Sequence, residues 1–217
     1  MTSQAPVCAI LMGDLVNSEA FEDTAGLHAA FNAAVARQNA APRPALLSPL
    51  TITLGDEFQG LYRALGPATL AARDMRFDLL DRGIDCRFVI GSVRIDTPIN
   101  PNRAWNMMGP GLSEARDLLN EKTAGLTYRF SLPDQPGTAQ LLNALGAGLS
   151  VIERSWTATQ RRDIRALLDG ATPEALAKTR DVSLRAIYKS RKGGEYDAYL
   201  YQWTAVLDAL AARDRSA

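Results

Sequence analysis

The order in which strand-like and helix-like stretches follow one another constrains this chain more than any single motif. VCAILMG (residues 7–13) is a continuous apolar run ended by glycine, which suits a strand buried on both faces. TAGLHAAFNAAVARQNA (24–40) repeats Leu27, Phe31 and Val35 at helical spacing behind a threonine cap, and Pro42-Arg43-Pro44 then breaks it. SPLTITLGDEFQGLYRA holds two β-rich halves around Gly55-Asp56 and predicts a hairpin. A helix over 67–83 with a glycine stop, a strand over 85–97 and a helix from near Leu112 follow. β, α, hairpin, α, β, α is the order of a split βαβ or palm domain. The expected class is therefore α+β: a ferredoxin-like antiparallel sheet with helices on one face. Beyond residue 131 a proline-rich connection leads into consecutive helices split by Gly170 and Gly193-Gly194, with no strand signal. This predicts a palm domain over 1–150 and a small all-α module over 151–217.

Composition narrows the function classes. With 47% hydrophobic and 22% charged residues the chain reads as an ordinary globular protein, and its apolar runs stop short of the roughly 18 residues that a membrane span needs. The amino terminus has no basic stretch followed by a small-residue cleavage site, so a cytoplasmic protein without a membrane partner is expected. Cys8 and Cys86 sit in strand-like surroundings and read as buried thiols. Net charge is zero, but residues 1–150 hold 12 Lys and Arg against 15 Asp and Glu, whereas 151–217 hold 12 against 9.

Two carboxylates attract attention. Asp14 ends the first strand and Asp56 stands in the hairpin with Glu57 beside it, and both aspartates follow a glycine, which lets the backbone come close to a ligand. A palm topology sets the first strand beside the hairpin, so the two acids are expected to converge. Their oxygens are hard ligands suited to Mg²⁺, which keeps several waters and is usually completed by phosphate. Asn17 and Ser18 follow in a turn toward the first helix, whose amino-terminal N–H groups are a candidate phosphate site.

ILMGDLVNS, LGDEFQGLY and NMMGPGLSEAR together resemble the SatD family over essentially the whole chain. The first 130 or so residues also resemble the palm domain of class III nucleotidyl cyclases, with an acidic turn similar to that of diguanylate cyclases. The resemblance implies a purine nucleotide held with Mg²⁺ or Mn²⁺ by Asp14, Asp56, the Leu15 carbonyl and, alternatively, Glu57. Two such ions about 3.5–4 Å apart would support attack of a ribose 3′-oxygen on the α-phosphate. It also makes Arg116 the transition-state arginine, with Ser113 nearest the position of its asparagine partner. The sequence departs from the cyclase pattern at Leu112, four residues before Arg116, and at Ile52, where cyclases carry a purine-reading lysine.

His28, the single histidine, reads as structural because no nucleophile is placed near it. In NPNRAWNMMGPG, Trp105, Met107 and Met108 either pack the loop down or floor a base pocket from which Arg103 reaches a phosphate.

The basic tail has the form of a helix-turn-helix. Thr172 caps a short helix, Leu176 and Ala177 face inward, Val182-Ser183 make the turn, and Ser183 caps a second helix with Ala186 and Ile187 on its buried side. Arg185, Tyr188, Lys189, Arg191 and Lys192 are then the candidate contacts to double-stranded DNA. Arg180 and Asp181 stand where the motif usually has an apolar residue and a glycine. Tyr199, Trp203, Val206 and Leu210 recur at helical spacing in the closing helix and either cover the module or pair with a second copy, making a homodimer.

The reading favoured by these features is a bacterial regulator that binds a purine nucleotide with a divalent metal and contacts DNA through its tail. The alternatives are an active nucleotidyl cyclase or nucleotidyltransferase, and a catalytically silent interaction protein that dimerises.

Overall fold

The computed structural model describes residues 7–41, 45–121 and 125–216; the amino-terminal six residues and the break at 42–44 lie outside them. Among the described residues five strands form one sheet: β1 (Val7–Leu15), β2 (Leu46–Leu54), β3 (Glu57–Tyr62), β4 (Cys86–Arg94) and β5 (Tyr128–Ser131), in the order β2-β3-β1-β4-β5. β1 pairs antiparallel with both β3 and β4, and β2 pairs antiparallel with β3. Helices α1 (Thr24–Ala40) and α2 (Leu65–Leu80) make the crossovers, so the first four strands follow the split βαβ plan that the element order predicts.

Side-chain alternation divides the sheet into two cores. Ala9, Leu11 and Leu15 of β1, with Phe58, Phe88 and Tyr128 from its neighbours, pack under α1 and α2. Cys8, Ile10 and Met12 face the other way and meet Ala115 and Leu119 of α3 (Leu112–Asn120). Helices thus cover the expected face, and α3 adds a cover on the opposite one. Because β1 is roofed on both sides, all its residues but Val7 are buried, which explains why its sequence is a solid apolar run.

β5 has no counterpart in the sequence-based assignment. It is four residues long and pairs in parallel with β4, Phe88 opposite Tyr128 and Ile90 opposite Phe130, which makes the sheet mixed. α1 is capped by Asp23, not Thr24: the Asp23 carboxylate accepts the Gly26 N–H at 2.8 Å and Thr24 is the first helical residue.

The remaining helices are α4 (Pro136–Ser155), α5 (Ala158–Leu168), α6 (Pro173–Arg180), α7 (Leu184–Gly193) and α8 (Tyr196–Ser216). Residue 150, near which a domain boundary was expected, falls inside α4. The apolar cluster beneath α1 and α2 runs on without a break to Leu210 of α8. Aromatic rings carry it across: Phe77 of α2 meets Trp156 at 5.8 Å, Trp156 meets Tyr199 at 4.7 Å, and Tyr128 of β5 meets Trp203 at 5.2 Å. At the centre of this junction lies Glu153, fully buried and accepting hydrogen bonds from Tyr128, Tyr199 and Arg76. Tyr199, Trp203, Val206 and Leu210 are therefore used inside the chain, where they cover its own core.

Candidate functional site

By the alternation of β1, Asp14 falls on the α3 side of the sheet. Its direct cross-strand neighbours are Glu57 on β3 and Arg87 on β4. Arg87 donates to the Asp14 carboxylate, and the pair is largely withdrawn from solvent, its side chains 16% and 11% exposed. Glu57 lies 3.8 Å from Nη1 of Arg116, which reaches over from α3, while Nη2 of Arg116 donates to Oε1 of Gln59 at 3.0 Å. Gln59 in turn donates to the Ala104 carbonyl at 2.6 Å and so ties down the loop that carries Arg103. Two acids and two arginines therefore balance one another on this face.

Asp56 joins from the hairpin. Its carbonyl accepts the Leu15 N–H at 3.1 Å, which seats the hairpin turn against the end of β1. Its Oδ2 accepts from Ser18 Oγ at 2.6 Å. Ser18 belongs to a single 3₁₀ turn, Ser18–Ala20, that separates β1 from α1. Asp56 and Ser18 stand at the rim of a cleft of about 330 Å³ between this turn, the hairpin and α1, with Leu15, Leu27 and Phe31 as apolar lining and Thr24 and His28 as further polar groups. The backbone thus brings Asp14, Asp56 and Glu57 to one end of the sheet, while Asp14 and Asp56 take different partners there.

These partners decide how well the acids suit a metal. Asp14 already holds a guanidinium, and Glu57 has Arg116 within ion-pair distance. Among the described residues no group of three or more His, Cys, Asp or Glu side chains is placed to hold a metal ion. As arranged, the donor set does not fit a two-ion centre.

Two local expectations are corrected. The glycine before Asp14 makes room for a side chain of the protein itself: a Cβ at Gly13 would lie 2.2 Å from Cε1 of Phe58. The N-terminus of α1 is not open to phosphate, because the Asp23 carboxylate already occupies it and would repel a second anion.

The family model described as "SatD family" matches residues 8–202. The chain belongs to the SatD family. A search of curated proteins gives no match. Among solved structures, the chain is similar to the guanylate cyclase domain of RhGC from Catenaria anguillulae, crystallised in complex with GTP. The identity is 15%, with 59% of this chain and 80% of that one covered and a TM-score of 0.40.

The other candidate residues of this SatD-family chain are spread more widely. Asn17 is exposed and takes the left-handed conformation at φ 55° ahead of the 3₁₀ turn. Ser113 is exposed near the start of α3, and Arg103 is exposed in the loop that crosses β2 and β3. Of the apolar residues in that loop, Met107 packs against the α3-side core, whereas Trp105 and Met108 are 49% and 70% exposed.

In the tail, Thr172 and Ser183 cap α6 and α7, accepting from the N–H groups of Ala175 and Ala186 at 3.1 and 3.2 Å. Leu176, Ala177 and Ile187 are buried, but Ala186 is exposed, because α7 turns only a narrow stripe inward. Asp181 adopts φ 51°, the left-handed conformation that a glycine would supply at this turn. Arg185, Tyr188, Lys189 and Lys192 are exposed on α7. Arg191 is turned toward α8, where it pairs with Asp197 and lies 4.9 Å over the ring of Tyr196.

Three features escaped the sequence reading: Arg87 as the partner of Asp14, the cleft that includes His28, and the Glu153 junction. Arg87 left one signal. It is the one charged residue within CRFVIGSV, and period-two counting from the buried Phe88 puts it on the opposite face from that ring.

Proposed function

We propose that this SatD-family protein is a regulator that binds a purine nucleotide at the acidic end of its sheet and contacts DNA through α7. The observation that carries the nucleotide half is the Leu15–Asp56 backbone bond, which closes the hairpin against β1 beside a cleft with an apolar lining. Leu15, Leu27 and Phe31 form a buried apolar wall beneath the cleft, and Asp56, Ser18, Thr24 and His28 offer the few convergent polar groups that fix orientation in such sites. No metal centre is part of this reading, because Asp14 is engaged by Arg87 and Glu57 has Arg116 within ion-pair distance. The DNA half is supported by the exposed basic row Arg185, Lys189 and Lys192 on a helix with a capped start. α8 follows α7 directly and shares Glu153 with α2 and β5, so a change at the sheet has a packed route to the tail.

Turnover is the weaker reading, because Arg116 is held by Gln59 and stands beside Glu57. Thermal denaturation of the full chain with ATP or GTP tests the proposal. A rise in melting temperature that Asp56→Asn reduces supports it, and no rise with either nucleotide contradicts it. Cyclic product on incubation with Mn²⁺ would move the assignment to an active cyclase.

A further inference from the structure

We infer that Arg87 stands in for a cation at Asp14 and keeps divalent metal away from the acidic end of the sheet. The inference deepens the nucleotide reading of the same site, but it concerns metal alone and is measured without nucleotide.

Asp14 and Arg87 are direct partners in the β1–β4 register and lie on the same face. The pairing is therefore fixed by the sheet, not by a chance meeting of surface side chains. Both are mostly buried, and the guanidinium donates to Oδ2 of Asp14, so a cation at this carboxylate would share it with a fixed positive charge. Nε of Arg87 is buried and has no hydrogen-bond partner among the described residues, so this arginine is held in place chiefly through its bond to Asp14. On the other side of Asp14, Glu57 lies opposite on β3 with Arg116 at 3.8 Å. Each of these two carboxylates therefore has a guanidinium beside it.

The test is Mn²⁺ uptake by the full chain, followed by titration calorimetry and by loss of the free-ion paramagnetic resonance signal. The wild type is expected to bind Mn²⁺ at least tenfold more weakly than Arg87→Met, which removes the charge and keeps the length. Asp14→Asn added to Arg87→Met should abolish the gained uptake. Equal uptake by wild type and Arg87→Met, whether strong or nil, overturns the inference. Should Arg87→Met fail to fold, the wild type alone still decides. Micromolar Mn²⁺ binding that Asp14→Asn removes overturns the inference, and wild-type binding too weak to saturate at millimolar Mn²⁺ supports it. Nucleotide-induced stabilisation is a separate measurement, so loss of the nucleotide reading and loss of this inference are told apart.

Discussion

Tyr199, in the last helix, donates its hydroxyl to Oε1 of Glu153 at 2.6 Å, and Tyr128 of β5 donates to the same oxygen at 2.9 Å. All three side chains are buried, and Arg76 completes the carboxylate from α2. One carboxylate thus joins the sheet to α2, α4 and α8. Burial first, and then the nearby Glu153 charge, hold both phenols protonated well above their ordinary range. The folded state therefore binds more protons than the unfolded chain above about pH 10, where free tyrosine titrates. Their contribution to stability is complete below that pH and is lost as the pH rises. Denaturant unfolding at pH 8 and pH 11 should show a drop that shrinks in Tyr199→Phe. At neutral pH that substitution should itself cost about 1.5–3 kcal/mol, since it removes a hydrogen bond to a charged group.

Gly13 offers a sharper test of how the end of β1 is built. A methyl group there would run into the ring of Phe58, which also packs edge-on against Phe31 at 5.9 Å and Phe88 at 6.2 Å and has little room to retreat. Gly13→Ala should destabilise the chain by about 1–3 kcal/mol through overpacking. Gly55, in the hairpin turn, has open space around it, so Gly55→Ala should change the denaturation midpoint far less.

What the sequence revealed and what it hid have separate physical origins. A continuous apolar run placed β1, two β-rich halves around Gly55-Asp56 placed the hairpin, and helical spacing placed α1, whose apolar stripe is buried. β5 escaped because its four residues show a single alternation, Tyr128 and Phe130 inward, too short to separate from a loop. Glycine before each acid was read as room for a ligand, yet Phe58 fills that room at Gly13 and nothing fills it at Gly55. The acids themselves were legible. Their partners were not, because the Asp14–Arg87 pair spans 73 residues and depends on strand order and register, which no local pattern encodes.

At the turn of the tail, Asp181 adopts a left-handed conformation that costs an L-residue roughly 1 kcal/mol. It is exposed, so few contacts are lost on replacement. Asp181→Gly should be neutral or stabilising by up to about 1 kcal/mol in a melting experiment, whereas Asp181→Val should be destabilising.

DNA binding by α7 predicts a difference between its basic residues. Arg185→Ala and Lys189→Ala should weaken retention of a duplex and flatten its dependence on salt. Arg191→Ala should change the salt slope less, because that side chain is committed to Asp197 and the Tyr196 ring. Gel-shift titrations at two ionic strengths distinguish these outcomes, and equal effects at all three positions would remove the assignment of the contact face.

The nucleotide claim is tested most directly by equilibrium binding of radiolabelled ATP and GTP to the full chain, wild type against Asp56→Asn. Saturable binding of at least one purine nucleotide, weakened tenfold or more by the substitution, is the expected result. No saturable binding of either, or binding that Asp56→Asn leaves untouched, would contradict the placement of a nucleotide at the acidic end of the sheet.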